Sequence, residues 1–521
     1  MEDTLLQIQK IIEKFDLGNF LKDIFLYSET SPLLFTRLFF WGFFAVVLLF
    51  YSLFYKRHVG RNLYLFAVSL FFYYKTSGIF VILVIISILL SFLIALIIGR
   101  AQKQGWRKFW VSVGVIISLT LLAYYKYTYM LVDWYNAIFD ADIKVENVLG
   151  VLSNSMLGTH LDTSRIFLPI GISFFTFHAI SYMVDVYHKK LAPVTNFSDY
   201  GFYITFFPQL VAGPIVLASE LIPQVHRKYQ LTKDEFSYGV YMIMKGLVKK
   251  IIFADFIAYN FVDRVFDNPF AYSGFENYMA IIGYSLQVYS DFSGYTDIAI
   301  GTAQIMGFKI PTNFNSPYKA LNTAEFWKRW HISLSNFLKN YLYIPLGGNR
   351  KGKFRTELNL MITMLLGGLW HGADLKFIIW GGLNGAGIAT YKQWSKISPY
   401  ENSRHWIATV WKILLTFTFI SFTRIFFRSA NMDIVSAMLS QLGNGIEWSI
   451  VPDVLISYKY IFLLMLVGYI FHFLNSDHKE FFRGVFIKAH WSLKILICSL
   501  IIVIIYQTLS AEMQPFIYFQ F

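Results

Sequence analysis

The sequence predicts an all-α polytopic integral membrane protein with a core of roughly ten to thirteen transmembrane or re-entrant helices. Three observations carry that expectation. The 521 residues are 56% hydrophobic and 15% charged, with a mean hydropathy of +0.49, which is more apolar surface than a water-soluble fold can cover. The apolar residues form long unbroken runs rather than the alternating pattern of a barrel, and in lipid only helices and closed barrels satisfy their own backbone. Lys and Arg gather in short clusters between those runs, so the formal net charge of +13 is a topology signal and no nucleic-acid partner is expected. The one cysteine, Cys498, excludes an intrachain disulfide framework and a thiolate metal cluster.

Residues 1–32 are polar and mildly acidic, with Leu5, Ile8, Ile11, Ile12 and Phe15 at helical spacing, and predict an interfacial amphipathic helix. No removable signal peptide is expected, because no basic segment precedes an apolar stretch and a cleavage site. Residues 33–521 predict a single membrane domain with its catalytic core at about 165–395. The first span runs from Leu38 to Tyr55 and ends at Lys56, Arg57, His58 and Arg61, which places that end in the cytoplasm. A short helix, a break at Lys75–Gly78 and a full span over Ile79–Ile98 follow. The next basic cluster, Arg100, Lys103, Arg107 and Lys108, precedes a span over Phe109–Tyr125, and the mixed, acidic segment 127–165 is expected on the outer face. Further apolar segments lie near 166–184, 200–218, 236–260, 275–306, 358–391, 406–427, 457–474 and 491–509.

The central third differs because its apolar runs carry polar residues. Gln287, Ser290, Gly294 and Asp297 recur at helical steps with Asp291 beside them, forming one face of a helix. A carboxylate at membrane depth costs about 2.5–3.5 kcal/mol on insertion scales and should face protein or water. Inter-helix pairing outweighs catalysis as the role of these aspartates. Downstream, Asn322-Thr-Ala-Glu325 predicts a capped helix start just before Phe326. On that helix Trp327, His331 and Ser335 fall at four-residue steps, ending near Pro345–Gly348. The basic turn Asn349–Arg355 reads as a cytoplasmic topology signal, with a dock for the phosphates of a coenzyme or carrier as the second reading.

Two histidines stand in apolar, aromatic sequence: His331 in Phe326-Trp-Lys-Arg-Trp-His-Ile-Ser-Leu-Ser335 and His371 in Leu365-Leu-Gly-Gly-Leu-Trp-His-Gly372. An imidazole titrates near neutral pH and suits proton transfer, and a titratable group at membrane depth marks a functional site by default. Either one alone is compatible with a plain buried hydrogen bond; two within forty residues favour chemistry. Asp291, Asp297, Trp327, Arg329, Trp330, Ser335, Asn349, Arg350 and Trp370 form the expected substrate-binding or supporting set. His178, seven residues before Asp185, is expected to be structural. Gly-x4-Gly-Lys-Ser/Thr, Gly-x-Ser-x-Gly and His-Glu-x-x-His patterns do not occur, and no metal site is expected.

An ordered series of segments resembles the bacterial membrane-bound O-acyltransferases of the alginate O-acetyltransferase type. It comprises Leu168-Pro-Ile-Gly-Ile-Ser-Phe-Phe175 with Asp185-Val-Tyr187, Phe207-Pro-Gln-Leu-Val-Ala-Gly-Pro-Ile215, Lys245-Gly-Leu-Val-Lys-Lys250 and Tyr289-Ser-Asp-Phe-Ser-Gly-Tyr-Thr-Asp297. The series continues through the His331 segment, Tyr343-Ile-Pro-Leu-Gly-Gly-Asn-Arg350, Gly367-Gly-Leu-Trp-His-Gly372 and Pro515-Phe-Ile-Tyr-Phe-Gln-Phe521. Leu217 and His178 depart from it, standing where relatives often carry Arg and Gln. The resemblance implies an acyl group moved from a thioester to a hydroxyl through a tunnel in the bilayer, with His331 and His371 as the catalytic pair. His371 is then expected as general base and His331 as a second imidazole that polarises the carbonyl or relays the acyl group, with the roles exchangeable. A covalent serine at Ser333 or Ser335 ranks lower.

The resemblance further implies a multi-pass protein of the bacterial cytoplasmic (inner) membrane, in contact with membrane lipid, with no permanently bound cofactor. Its donor is expected to be acetyl-CoA or another acyl thioester, its acceptor an exported cell-surface polysaccharide, and an extracytoplasmic acetyltransferase its partner. D-alanyl transfer from a carrier protein to teichoic acid is the alternative among enzymes. A transporter using the intramembrane aspartates and histidines as a proton path is the alternative of another class.

Overall fold

The computed structural model describes residues 22, 24–28, 32–157, 162–210 and 213–508, and every regular element among them is helical. The interfacial helix expected over 1–32 lies almost wholly outside the described residues, as does the 515–521 segment.

The first four helices are α1 (Leu38–Phe54), α2 (His58–Ser77), α3 (Val81–Arg100) and α4 (Gln104–Phe139). α1 matches the expected span. The break between α2 and α3 falls at Gly78, whose φ of +61° suits a residue without a Cβ. α4 differs from expectation: its 36 residues continue fourteen past Tyr125, through a stretch read as leaving the membrane. That stretch has neither Gly nor Pro, and its first polar residue, Lys126, turns inward. Its ammonium donates to the carbonyls of Trp370 (2.5 Å) and His371 (3.0 Å), so the helix has no reason to end there.

After α5 (Val148–Leu157), the core is built from α6 (Ile172–Tyr187), α7 (Phe197–Thr205), α8 (Ala218–Val225), α9 (Lys233–Leu247) and α10 (Gly274–Ile305). α10 is the central post, and almost all of it beyond Ala280 is buried. α9 continues into a π-helical turn, Val248–Asp255, that runs along it. The approach is close: a Cβ on Gly246 would stand 2.6 Å from the Gly294 carbonyl oxygen, so these backbones meet only because both residues are glycine. Asp291 and Asp297 face this seam. Lys250 bridges Asp255 (2.7 Å) and Asp291 (2.6 Å), while Lys249 (2.7 Å) and Lys245 (3.2 Å) hold Asp297.

The second half comprises α11 (Thr323–Arg329), α12 (Ile332–Leu338), α13 (Gly352–His371), α14 (Leu375–Trp394) and α15 (Trp406–Arg428). It ends with α16 (Met432–Gly443), α17 (Val451–Ser457), α18 (Lys459–Phe473), α19 (Ser476–Lys488) and α20 (Trp491–Thr508). Four described stretches are long and apolar enough to cross a membrane, or five if the bent α17–α18 pair counts as one. The expected ten to thirteen also included shorter and re-entrant helices, and the apolar segments expected in the core are helical as well, among them α6, α10, α13 and α14. Large apolar side chains exposed along α1, α3, α4, α15, α18 and α20 give the molecule a lipid-facing surface, and the protein crosses the membrane several times.

Candidate active site

His331 lies between two helices rather than along one. Asn322 caps α11 as expected, its Oδ1 accepting from Glu325 N–H at 2.8 Å. α11 then stops at Arg329, and His331 adopts left-handed φ 43°, ψ 57° before α12 begins. Trp327, His331 and Ser335 therefore do not share the single helix face that their spacing predicts. The cause is the irregular segment around Asn313, which takes up the hydrogen bonds that a continuous helix would have used internally. Asn315 N–H donates to the Arg329 carbonyl (2.9 Å) and Ile332 N–H to the Asn313 carbonyl (3.0 Å). The Asn313 side-chain oxygen accepts from Ser333 N–H (3.0 Å) and the Ser333 hydroxyl (2.7 Å).

The same oxygen lies 3.3 Å from His331 Nδ1. Because Ser333 N–H can only donate, it fixes which end of the Asn313 amide faces inward. His331 Nδ1 then carries the proton of the neutral ring, and Nε2 carries the lone pair. The imidazole is fully buried, edge-on to Phe292 of α10 at 4.6 Å.

His371 is the last residue of α13. α13 and α14 are held together where Gly368 meets Gly381: a Cβ on Gly381 would lie 3.2 Å from the Gly368 Cα. Gly372 is extended (φ −166°), so the helix ends with its carbonyls unmet from within. Lys126 supplies the missing donor, and Tyr127 does the same for the Leu369 carbonyl at 3.0 Å. The His371 ring is 4% exposed and enclosed by Trp370 (4.9 Å), Trp380 (5.0 Å) and Phe427 (5.1 Å).

Trp370 joins the two histidines. Its ring centroid is 6.1 Å from that of His331 and 4.9 Å from that of His371, and it stacks on Phe177 of α6 at 5.5 Å. The two imidazoles are within electrostatic range of each other. Elements forty residues apart in sequence thus deliver both rings to one buried aromatic enclosure.

The other expected residues fall at different distances from this centre. Trp327 reaches it through Trp380 (5.6 Å), and Trp330 is buried beside His331. Ser335 turns its hydroxyl to the Trp330 carbonyl at 3.4 Å. Arg329 pairs with Glu325 at 2.7 Å. Asp291 and Asp297 sit in the lysine seam described above. Asn349 and Arg350 are exposed in the turn before α13. His178 accepts from Val216 N–H at 3.3 Å, and Ser333 Oγ accepts from Ile215 N–H at 3.0 Å, so the Gly213–Val216 loop is pinned on both sides.

Sequence reasoning missed Asn313, Lys126, Trp380, Arg424 and Phe427. For Lys126 and Arg424 a signal existed, since each is a lone cation in an aromatic, apolar run. Nothing in the sequence singles out Asn313.

The model of the membrane-bound O-acyltransferase (MBOAT) family matches residues 66–429. The chain is 37% identical over 407 residues to a peptidoglycan O-acetyltransferase of Helicobacter pylori, covering 73% of each chain. It is 37% identical over 393 residues to a "Probable alginate O-acetylase AlgI" of Pseudomonas syringae pv. tomato, covering 75% of this chain and 71% of the relative. Similarity to a teichoic acid D-alanyltransferase of Bacillus subtilis is lower, 28% over 270 residues, covering 49% of this chain and 67% of the relative.

Proposed function

The chain belongs to the membrane-bound O-acyltransferase family and is an O-acyltransferase, and we propose that it moves an acetyl group from a cytoplasmic thioester to hydroxyls of an exported polysaccharide. The observation that carries this reading is the pair of buried imidazoles packed on one Trp370 ring. The relatives named for acetylation of alginate and of peptidoglycan support acetyl as the group and a polysaccharide as its destination. Acetyl-CoA is the donor this reading puts first. The membrane is the bacterial inner membrane, and an extracytoplasmic acetyltransferase completes transfer to the polymer.

A thioester is already activated, so the protein has to position it, remove the acceptor's proton and exclude water. In this reading His371 is the general base, a role worth about 10² to 10⁴ in rate. His331, with its Nδ1–H held by Asn313, presents a lone pair and serves as a second proton or acyl acceptor. Burial of both rings among Trp and Phe keeps the thioester from hydrolysis. Asp291, Asp297, Trp327, Arg329, Trp330, Ser335, Asn349, Arg350 and Trp370 support the site or its substrates.

The test is release of free coenzyme A from acetyl-CoA by protein in lipid nanodiscs, dependent on an added polysaccharide acceptor. His371→Ala and His331→Ala are each expected to lower kcat by about 10² to 10⁴, and wild-type turnover in both overturns the assignment. Turnover with an aminoacylated carrier protein and none with acetyl-CoA assigns the D-alanyl reaction instead. Solute flux across sealed vesicles without covalent transfer assigns a transporter.

A further inference from the structure

Acyl transfer needs a donor for the carbonyl oxygen as it becomes an oxyanion. In the tautomer that Asn313 imposes, His331 Nε2 has no proton to give. The main-chain carbonyls that end α13 are acceptors, and Lys126 is already committed to two of them.

Arg424 on α15 is 2% exposed, in the middle of an apolar run. Its guanidinium carbon stands 4.1 Å over the Trp330 ring and 6.0 Å from the Phe427 ring. Trp330 is the residue before His331, and Phe427 packs on His371 at 5.1 Å. Arg424 is within electrostatic range of His371. The guanidinium therefore sits between the two histidine segments. The other deeply buried cations have acceptors: Lys250 has two carboxylates, Arg61 the Val225 carbonyl, Arg107 the Ile98 and Val186 carbonyls. For Arg424 no carboxylate stands within 4.0 Å among the described residues, and Nε has no hydrogen-bond acceptor. The guanidinium hydrogen-bonds to the phenol oxygen of Tyr318, whose own proton goes to the Ser285 carbonyl at 2.5 Å. A buried guanidinium with no resident counter-charge is prepared for an anion that comes and goes.

We propose that Arg424 is the oxyanion donor of the acyl transfer, an inference that rests on the acyltransfer reading above. The acceptor oxygen attacks the thioester carbon while its proton passes to an imidazole. The carbonyl π pair moves onto oxygen, where the Arg424 N–H groups meet the new charge. Collapse re-forms the C=O bond and breaks the C–S bond, and the departing thiolate takes the proton from the imidazolium. The products are an ester and a thiol. The planar fork of the guanidinium and its stacking on Trp330 hold the donor in one orientation, which an ammonium cannot reproduce.

Steady-state kinetics in nanodiscs test this with Arg424→Gln and Arg424→Lys, each with a Tm measured in parallel. Arg424→Gln is expected to lower kcat by about 10² to 10³ while KM for the acceptor stays within about twofold. Arg424→Lys is expected to recover part of that loss, at least about tenfold. Unchanged kcat in Arg424→Gln overturns the proposal. So does a rise in KM confined to acidic acceptors with kcat kept, which assigns Arg424 to a carboxylate of the polymer. Should Arg424→Gln fail to fold, Arg424→Lys decides: a wild-type Tm with kcat down about tenfold or more supports the role, and full activity overturns it. Absence of transfer by the wild-type protein, by contrast, is the failure of the underlying reading.

Discussion

One amide oxygen, Asn313 Oδ1, sets both the backbone and the protonation of His331. It accepts from Ser333 N–H at 3.0 Å and from the Ser333 hydroxyl at 2.7 Å, and faces His331 Nδ1 at 3.3 Å. The left-handed conformation at residue 331 (φ 43°) is unfavourable for a residue with a Cβ, and those bonds offset it. Asn313→Ala is expected to leave buried donors without an acceptor, at about 1–3 kcal/mol each, and to lower kcat by up to about 10² through misplacement of the ring. Wild-type kcat in Asn313→Ala would show that neither the tautomer nor the turn matters. The two histidines themselves were legible, because titratable residues are rare in aromatic, apolar sequence. Their partners were not, since Asn313 is an ordinary polar residue until the fold places it eighteen positions back from its histidine.

At the scale of elements, two seams position the site. The α9–α10 seam combines facing glycines with a buried charge triad around Lys250, which is 1% exposed. Lys250→Met is expected to leave Asp255 and Asp291 buried without their cation and to cost about 3–5 kcal/mol, read as a lower Tm in detergent. Adding Asp255→Asn and Asp291→Asn to Lys250→Met is expected to restore much of the loss, because the penalty comes from unpaired charge rather than from a missing contact. A single and a triple variant of equal Tm would contradict this account. The α13–α14 seam depends on close backbone approach at Gly368 and Gly381. Gly381→Leu is expected to force these helices apart and displace His371 with the end of α13, reducing both Tm and kcat; normal values of both would mean that the contact does not position the ring. The sequence predicted α1 to within a residue and the Asn322 cap, both local features. It did not predict that α11 and α12 are separate, because the competing hydrogen bonds come from a distant segment.

For the whole molecule, α4 is the clearest probe of how the protein sits in lipid. A 36-residue helix is about 54 Å long, well beyond the ~30 Å hydrocarbon core, so its two ends belong to opposite faces. The chain's one cysteine, Cys498, makes the test simple: in a Cys498→Ser background, Lys103→Cys and Asp140→Cys are expected to react with a membrane-impermeant maleimide from opposite sides of sealed vesicles. Labelling of both from one side would refute a transmembrane α4. The same helix carries Lys126 to the end of α13, so a peripheral span also helps to fix His371.

Composition, apolar run length and the positions of basic clusters determined by themselves that this chain is a helical membrane protein, because the cost of exposing apolar surface to water, or backbone to lipid, depends on those properties alone. The motif series around His331 and His371 was likewise readable, since each motif is a contiguous stretch. What tertiary structure alone decided is which polar groups meet: Asn313 with His331, Lys126 with the end of α13, Arg424 between Trp330 and Phe427, and the aspartates with the lysines of the α9–α10 seam rather than with the histidines. Such pairings are contacts between residues far apart in sequence. In a water-poor interior every buried polar group seeks a partner, and the choice among partners depends on distances that only the packed helices define.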